Sequence, residues 1–219
     1  MTATRRTLAD GLGTALLLAV VVGSGIMGER LSGGNDALAL LANSLATGFG
    51  LVALILAFGP RSGAHFNPVV TAVLAFRKEF PLRDVLPYVA AQVAGAVLGV
   101  LAAHAMFDAP LLQLGVKARI GFAQWWSEIV ATFGLVFVVL SCDKKSAPFA
   151  IAAYIAAAYW FTASTSFANP AVTLARAFTA TFSGIRLEDV AGFVVAQLIG
   201  AALALWVDRA FFDGEKTAQ

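Results

Sequence analysis

Two Asn-Pro pairs are the residues of this sequence whose type and spacing say most about function. Asn67-Pro68-Val69 and Asn169-Pro170-Ala171 each open a short apolar run. Asparagine is a strong helix N-cap, and proline suits the first helical position because its missing N–H is not needed there. Polarity returns about 10 residues after Pro68, which is ~15 Å of helix or half of a ~30 Å hydrocarbon core. Each pair therefore predicts a helix that crosses half of a membrane.

The composition predicts a membrane protein. Of 219 residues, 59% are hydrophobic and 13% are charged, and the mean hydropathy is +0.81. The net charge of +2 is small and scattered, so nucleic acid is not an expected partner. One cysteine, Cys142, and two well-separated histidines cannot assemble a nucleophile with a base or a metal site. We therefore expect no enzyme, no cofactor and no metal.

Six apolar segments are long enough to span a bilayer, at roughly 8–28, 37–58, 84–106, 122–141, 147–164 and 188–210. The Asn-Pro half-helices lie between the second and third segments and between the fifth and sixth. The first segment could instead be a secretory signal peptide, but Asp10 lies early in the segment and no signal-peptidase cleavage site is convincing. The sequence predicts an all-α membrane protein with six transmembrane helices and two re-entrant half-helices, in one domain over 1–219.

The two halves of the chain repeat each other, over about 1–107 and 120–212. Three full spans per half is an odd number, so the second half must enter the membrane from the opposite side. Such an inverted 3+3 repeat places a transport site near the midplane. The matching residues are Asn67-Pro68-Val69-Val70-Thr71 with Asn169-Pro170-Ala171-Val172-Thr173, Gln92 with Gln197, Gly95-Ala96 with Gly200-Ala201, and Asp10 and Thr14 with Glu128 and Thr132.

Basic residues predict that both termini are cytoplasmic, because positive charge concentrates in cytoplasmic loops. With that orientation four basic residues lie outside, namely Arg30, Lys117, Arg119 and Arg186. Ten lie inside, namely Arg5, Arg6, Arg61, Arg77, Lys78, Arg83, Lys144, Lys145, Arg209 and Lys216.

The stretches Ser62–Thr71 and Phe167–Ala171 resemble the two signatures of the aquaporin, or major intrinsic protein, family. Two signatures, each after two apolar spans, extend the resemblance over essentially the whole chain. The resemblance implies a right-handed bundle with one pore per chain, a homotetramer in the cell (inner) membrane, and small neutral solutes as partners besides the lipid bilayer. It also implies that Asp10 and Glu128 hold the re-entrant loops, although the family usually has glutamate at both positions.

The chemistry of such a pore follows from the two helix starts. Each helix N-terminus carries about half a positive charge, so two of them at one constriction repel cations. The Asn67 and Asn169 amides can offer N–H donors to a passing oxygen, whereas stripping water from an ion costs far more. Neutral solutes are therefore favoured. His65, beside the first pair, is expected to bond within the loop, with a pH gate as the alternative.

The selectivity filter is where the sequence departs from the family. An arginine usually follows the second Asn-Pro-Ala, and Val172 stands there instead. Spacing from the motifs assigns Thr47, Ala157 and Ser166 to the other filter positions, which predicts a wide, uncharged opening without an aromatic ring. This filter resembles that of bacterial aquaporins associated with arsenic resistance. The resemblance implies arsenite, present as As(OH)3, and methylated arsenicals as solutes, besides glycerol-like molecules and water.

Several alternatives remain open from sequence alone. Arg176, one helical turn beyond Val172, could restore a positive charge in the outer mouth, or it could snorkel to the interface or pair with a loop carboxylate. The chain could be a conventional water and glycerol channel, or a structural membrane protein with a closed pore. An alternating-access transporter would need a residue for coupling ions, and no intramembrane residue is spare for that role.

Overall fold

The computed structural model describes residues 1–211, and these form eight α-helices. A 3-10 turn at Arg176–Phe178 continues α7. Residue 212, where the second repeat is expected to end, and Lys216 lie outside the described residues. The helices are α1 Ala3–Leu31, α2 Asp36–Ser62, α3 Pro68–Phe76, α4 Leu82–Met106, α5 Phe122–Ser141, α6 Ala147–Phe161, α7 Pro170–Ala175 and α8 Leu187–Phe211.

Five of these helices, α1, α2, α4, α5 and α8, are long and apolar enough to cross a membrane. The sixth expected span, α6, is a shorter apolar helix than the sequence predicts: it has 15 residues and ends at Phe161 rather than near 164. Side chains form hydrogen bonds with polar backbone groups at the end of α6: the Thr162 hydroxyl donates to Ala158 O at 2.6 Å, and Ala163 N donates to Ser127 Oγ at 3.0 Å. Because those groups find partners, the chain can leave the helix early and begin the loop toward α7.

The half-helices α3 and α7 lie between the two halves of the chain. Each contacts the last helix of its own half and the corresponding helix of the other half, so that α3 touches α4 and α8, and α7 touches α8 and α4. The largest buried apolar cluster includes Ala171 of α7 with Leu18 and Val100, and a separate cluster holds Val69 and Val73 of α3. Large apolar side chains on the outer surface, such as Phe49 and Leu98, are exposed as a lipid-facing surface requires. The half-helices are thus enclosed by protein.

Glycines bring the paired helices of each half into backbone contact. A Cβ atom built on Gly95 of α4 would overlap the carbonyl oxygen of Gly11 on α1. In the second half, a Cβ atom on Gly200 of α8 would overlap the carbonyl oxygen of Ile129 on α5. Small residues at such positions let helices approach closely enough to gain van der Waals contact, which drives helix association in lipid.

Gly95→Ala is expected to destabilise the protein because its new methyl group meets backbone, which cannot rotate away. Overpacking of this kind costs ~1–3 kcal/mol, which corresponds to a fall of roughly 2–10 °C in the melting temperature of a chain this size. The measurement is the apparent melting temperature in detergent. Gly59→Ala is the matched control, since a Cβ atom there has nothing within 4 Å. Equal melting temperatures for the two variants would contradict the close helix contact.

Candidate functional site: the junction of the half-helices

Each half-helix begins where the asparagine of an Asn-Pro pair caps it. Asn67 is extended, with φ of −153°, and its Oδ1 accepts a hydrogen bond from Val69 N at 2.9 Å. Asn169 is extended in the same way, and its Oδ1 accepts from Ala171 N at 3.0 Å and from Val172 N at 3.3 Å. The side-chain oxygens are therefore used by the first helical turns, and the amide nitrogens are directed elsewhere.

The two amide nitrogens tie the half-helices together. Asn67 Nδ2 donates to Ala168 O at 2.8 Å, and Asn169 Nδ2 donates to Phe66 O at 2.8 Å. Each carbonyl belongs to the residue directly before the other asparagine, so the tie is reciprocal. An amide has two N–H donors, and the tie uses one of them on each side. The second donor of each asparagine remains for the cavity that both residues line.

Both re-entrant loops carry residues in the left-handed backbone region. Ala64 and Phe66 have φ of 51° and 50°, and their repeat-related counterparts Ser166 and Ala168 have φ of 49° and 47°. Such a conformation costs on the order of 1–3 kcal/mol per non-glycine residue, so surrounding bonds must hold it in place. Because the strain recurs at the same positions of both repeats, it belongs to the shape that the junction requires.

Asp10 of α1 holds the first loop. Its Oδ1 accepts hydrogen bonds from Ser62 Oγ at 2.8 Å and His65 N at 3.0 Å. Its Oδ2 accepts from Phe66 N at 3.1 Å and Gln92 Nε2 at 2.8 Å. The carboxylate is fully buried and surrounded by donors, which offset the loss of its hydration.

Glu128 of α5 holds the second loop in the same way. Its Oε1 accepts from Ser164 Oγ at 2.6 Å and Phe167 N at 2.9 Å. Its Oε2 accepts from Ala168 N at 2.9 Å and Gln197 Nε2 at 2.6 Å. The shorter aspartate of the first repeat thus reaches as many donors as the glutamate of the second.

His65 contributes to the junction through its backbone and its ring. Its ring Nδ1 lies 3.1 Å from Thr71 Oγ1, and the ring packs edge-on against Phe80 with centroids 4.9 Å apart. The residue also lines the cavity. Its repeat-related counterpart is Phe167, so the two repeats place different side chains at equivalent points of the passage.

A cavity of about 1030 Å³ runs past both asparagines. At one end, here called the Lys144 end, it is lined by Glu79, Asp143 and Lys144. At the other, here called the Arg176 end, it is lined by Thr47, Tyr159, Ser166, Val172 and Arg176. A passage therefore connects a charged mouth to the positions expected to form a filter.

Three of the four expected filter residues, Thr47, Ser166 and Val172, line the cavity, and Ala157 does not. Ala157 is exposed on the outer face of α6. At 3.6 residues per turn, it lies about 200° around the helix from Tyr159, which does line the cavity. The Tyr159 hydroxyl lies 3.3 Å from Thr47 Oγ1. Tyr159, an aromatic residue, therefore lines the cavity on α6 where the sequence places Ala157.

Arg176 lies inside the protein rather than at the lipid interface. It is 2% exposed, and its guanidinium stacks on the Phe167 ring, with Cζ 3.4 Å from the centroid. Its Nε donates to the carbonyl oxygen of Ser183, not to a carboxylate. Of the two alternatives for this residue, the structure places its positive charge at the cavity.

Arg119 is a residue that sequence reasoning missed. It was counted only as a loop charge, yet it is 5% exposed. Its side chain donates to Gly184 O at 3.0 Å and Ser164 O at 2.9 Å, and its Cζ lies 4.8 Å from the centroid of Phe167. Burial lowers its pKa to about 10, so it stays charged at neutral pH. No sequence signal points to it, because the loop before α5 has no periodicity.

Comparison with known proteins gives the family. The sequence profile described as "Major intrinsic protein" matches residues 1–148. The chain belongs to the major intrinsic protein family. Aquaglyceroporins of this family are channels, and this member is likewise a membrane channel rather than an enzyme. The aquaglyceroporin AqpS of Rhizobium meliloti is 57% identical over 209 residues, which cover 94% of this chain and 89% of that protein. A probable aquaporin, AqpM, of Archaeoglobus fulgidus is 30% identical over an alignment that covers 94% of this chain and 96% of that protein.

The fold of this family member is also that of a solved structure. The X-ray structure of the aquaglyceroporin from Plasmodium falciparum matches with a TM-score of 0.75 over 100% of both chains. The two sequences are 18% identical, so this likeness concerns the fold. It confirms the expected all-α architecture of transmembrane helices with two half-helices.

Glu128→Gln is expected to destabilise the protein strongly, because the new amide N–H₂ would face N–H and O–H donors in place of an acceptor. Leaving buried donors unsatisfied costs ~1–3 kcal/mol each, more near a charged group, so we expect a fall on the order of 5–15 °C in melting temperature. Glu188→Gln is the matched control, since Glu188 is exposed on the same side of the fold. A melting temperature for Glu128→Gln equal to that of the control would rule out the loop-holding role.

Proposed function

We propose that this protein is a passive channel for small neutral solutes: water, glycerol-like molecules, arsenite as As(OH)3 and small methylated arsenicals. The single observation that carries the proposal is the cavity that passes both asparagines and meets Val172, an uncharged side chain, at the filter. Asn67 and Asn169 line the proposed pore, and the other motif residues, Pro68, Val69, Pro170 and Ala171, start the half-helices behind it.

Neutral solutes pass because the junction offers donors without a full charge. A solute oxygen that leaves water can accept a hydrogen bond from the second N–H of Asn67 or Asn169. The positive ends of α3 and of α7, extended by its 3-10 turn, meet at the same point and repel cations. Dehydration of an ion is not compensated by a few neutral donors, so ions are excluded.

Small side chains keep the passage open on the half-helix side. Val70 and Val172 are repeat-related, directly follow the two motifs, and both line the cavity. Neither side chain carries a charge, so neither adds an electrostatic barrier to the passage. The nearby hydroxyls of Thr47 and Ser166 suit a solute that displays its own hydroxyl groups, as glycerol and As(OH)3 both do.

Tyr159 favours a second candidate, a conventional water and glycerol channel. Its ring lies at the Arg176 end, with the hydroxyl next to Thr47. The ring occupies space that the small residues expected from the sequence would leave open. A narrower opening would pass glycerol, an extended molecule, more readily than the methylated arsenicals. The two candidates share the channel and differ in the largest solute admitted.

The topology and assembly extend the proposal. Both termini lie in the cytoplasm, so the Lys144 end faces inward and the Arg176 end faces outward. The chain forms a single channel domain of two inverted repeats, with one pore in each subunit of a homotetramer in the inner membrane. This orientation follows from the ten basic residues on one side against four on the other.

Stopped-flow light scattering of proteoliposomes tests the proposal. Osmotic shrinkage measures water flux, and reswelling measures the entry of glycerol, urea or As(OH)3. We expect rapid entry of glycerol and As(OH)3 that does not saturate. Water flux without entry of either solute would refute a wide filter. Absence of all flux would support a closed structural protein, and saturable, gradient-coupled flux would support a transporter.

Val172→Arg is expected to narrow the filter and to add a charge. Entry of As(OH)3 and glycerol should fall at least about tenfold, corresponding to ~1.4 kcal/mol of barrier, while water flux falls less. Val172→Leu is the control for added bulk without charge and should give a smaller loss. Unchanged glycerol entry in Val172→Arg would show that this residue does not face the limiting constriction.

Tyr159→Ala separates the two candidate functions. If the ring limits the opening, its removal should raise the entry rates of the largest neutral solutes by about tenfold and that of water by less. Tyr159→Phe keeps the ring and removes the hydroxyl, so it should keep the wild-type size limit. Equal solute profiles for wild type and Tyr159→Ala would show that Tyr159 does not set the limit.

A further inference from the structure

We propose that the Arg176 end of the cavity contains a binding site for one small monovalent oxyanion, with a carboxylate as the model ligand, formed by Arg176 and Ser166. The site extends the proposed channel function and rests on it for the flux measurement described below. Its ligands would be the Arg176 guanidinium, whose terminal nitrogens face the cavity without a protein partner, and the Ser166 hydroxyl, which is buried next to the cavity without a partner.

Ser166 supplies the first unused group. The residue is 3% exposed and lines the cavity, and its Oγ has no hydrogen-bond partner among the described residues. A buried hydroxyl without a partner loses its hydration without compensation. Its backbone is held by the hydrogen bond from Ser166 N to Ser164 Oγ at 3.2 Å. The Oγ atom is enclosed by protein, so it would reach a ligand in the cavity by rotation about the Cα–Cβ bond.

Arg176 supplies the second group. Its Nε is fixed on the carbonyl oxygen of Ser183, and one face of the guanidinium is covered by Phe167. Within the described part of the chain, its terminal Nη groups have no protein acceptor and are not enclosed, so they are available to the cavity that the residue lines. The planar fork of a guanidinium matches the two oxygens of a carboxylate.

The loop that holds Arg176 is itself anchored. Ser183 Oγ donates to Val21 O of α1 at 3.2 Å, while the Ser183 carbonyl oxygen accepts from Arg176. A Cβ atom on Gly25 of α1 would overlap the Ser183 hydroxyl, so the loop packs tightly on the helix. The guanidinium is therefore preorganised, which reduces the entropy that a ligand must remove on binding.

Positive charge at this end is only partly balanced. The Arg119 side chain is bonded to the neutral acceptors Gly184 O, Ser164 O and Thr165 Oγ1, and it lies against the same phenylalanine ring as Arg176. Burial lowers the pKa of Lys117 nearby, and the charges of Arg119 and Arg176 lower it further.

Two carboxylates near this end are hydrogen-bonded within the protein, and two more, Asp36 and Glu29, act on Lys117. Glu128 accepts from four neutral donors, so it keeps its negative charge, which offsets part of the positive charge of Arg119 and Arg176. Asp189 accepts from Arg119 N and from the Arg186 side chain. An anion beside Arg176 and Ser166 would thus meet a positive field and unused donors. One cavity-facing guanidinium favours a single negative charge over two.

Thermal stability in detergent tests the site directly with formate as the probe. Sodium formate should raise the apparent melting temperature of the wild-type protein by at least about 2 °C relative to sodium chloride at equal concentration, since a ligand stabilises the state that binds it. Arg176→Gln should lose this difference, and Ser166→Ala should reduce it. Arg30→Gln is the matched control, because Arg30 also stacks on a phenylalanine, Phe107, but does not line the cavity.

A formate effect that is absent in wild type, or that is equal in wild type and Arg176→Gln, would overturn the proposal. If Arg176→Gln does not fold, Ser166→Ala against wild type decides, and equal formate effects in these two would also overturn it. Flux adds a second readout: saturating formate should slow glycerol entry at least about twofold in wild type and not in Arg176→Gln. Absence of glycerol entry in every variant would refute the proposed channel, while the thermal measurement would still decide the anion site.

Discussion

Non-helical backbone at membrane depth must find its hydrogen-bond partners in protein, and the rest of this structure depends on that constraint. Two loops descend to the middle of the bundle, where lipid offers their buried N–H groups no hydrogen-bond partner. Asp10 and Glu128 supply the acceptors from α1 and α5, each surrounded by four donors. Without these buried carboxylates, the loop N–H groups of His65, Phe66, Phe167 and Ala168 would lose their acceptors, and the left-handed conformations would lose much of their support.

The reciprocal bonds between the half-helices turn two held loops into one junction. Asn67 and Asn169 each cap their own helix with oxygen and bind the opposite loop with nitrogen. This arrangement fixes the distance between the two helix starts and leaves an N–H of each asparagine beside the cavity. Glycine contacts between α1 and α4 and between α5 and α8 bring the carboxylate-bearing helices close enough to reach the loops. The close helix packing, the strained loops and the hydrogen-bond donors of the passage therefore depend on one another.

The two repeats share this framework and differ in the side chains that face the passage. His65 and Leu74 of the first repeat correspond to Phe167 and Arg176 of the second, and all four line the cavity. The framework needs polar groups at fixed positions and is insensitive to these lining residues. The passage can therefore be uncharged at Val172 and positive one helical turn away without disturbing the junction. Selectivity can vary on a scaffold whose backbone bonds stay the same.

Much of the fold could be predicted from sequence because it depends on local signals. Asn-Pro capping, apolar length and the repeated Gln92 and Gln197 act over a few residues or recur at matching positions, so they predicted the half-helices, five long spans and the inverted halves. Val172 and Ser166, which adjoin the second motif, line the cavity as the sequence predicts, and so does Thr47 of α2. Ala157 was wrong and Tyr159 was missed because the assignment counted residues back from the second motif across the irregular loop between Phe161 and Pro170, where residue spacing does not fix which face of α6 meets the cavity. The burial of Arg119 and Arg176 against Phe167 likewise depends on contacts between segments far apart in the chain.

The sequence by itself thus determined the membrane architecture and the two helix starts, whereas only the tertiary structure decided which side chains face the passage, because that depends on helix rotation and long-range packing.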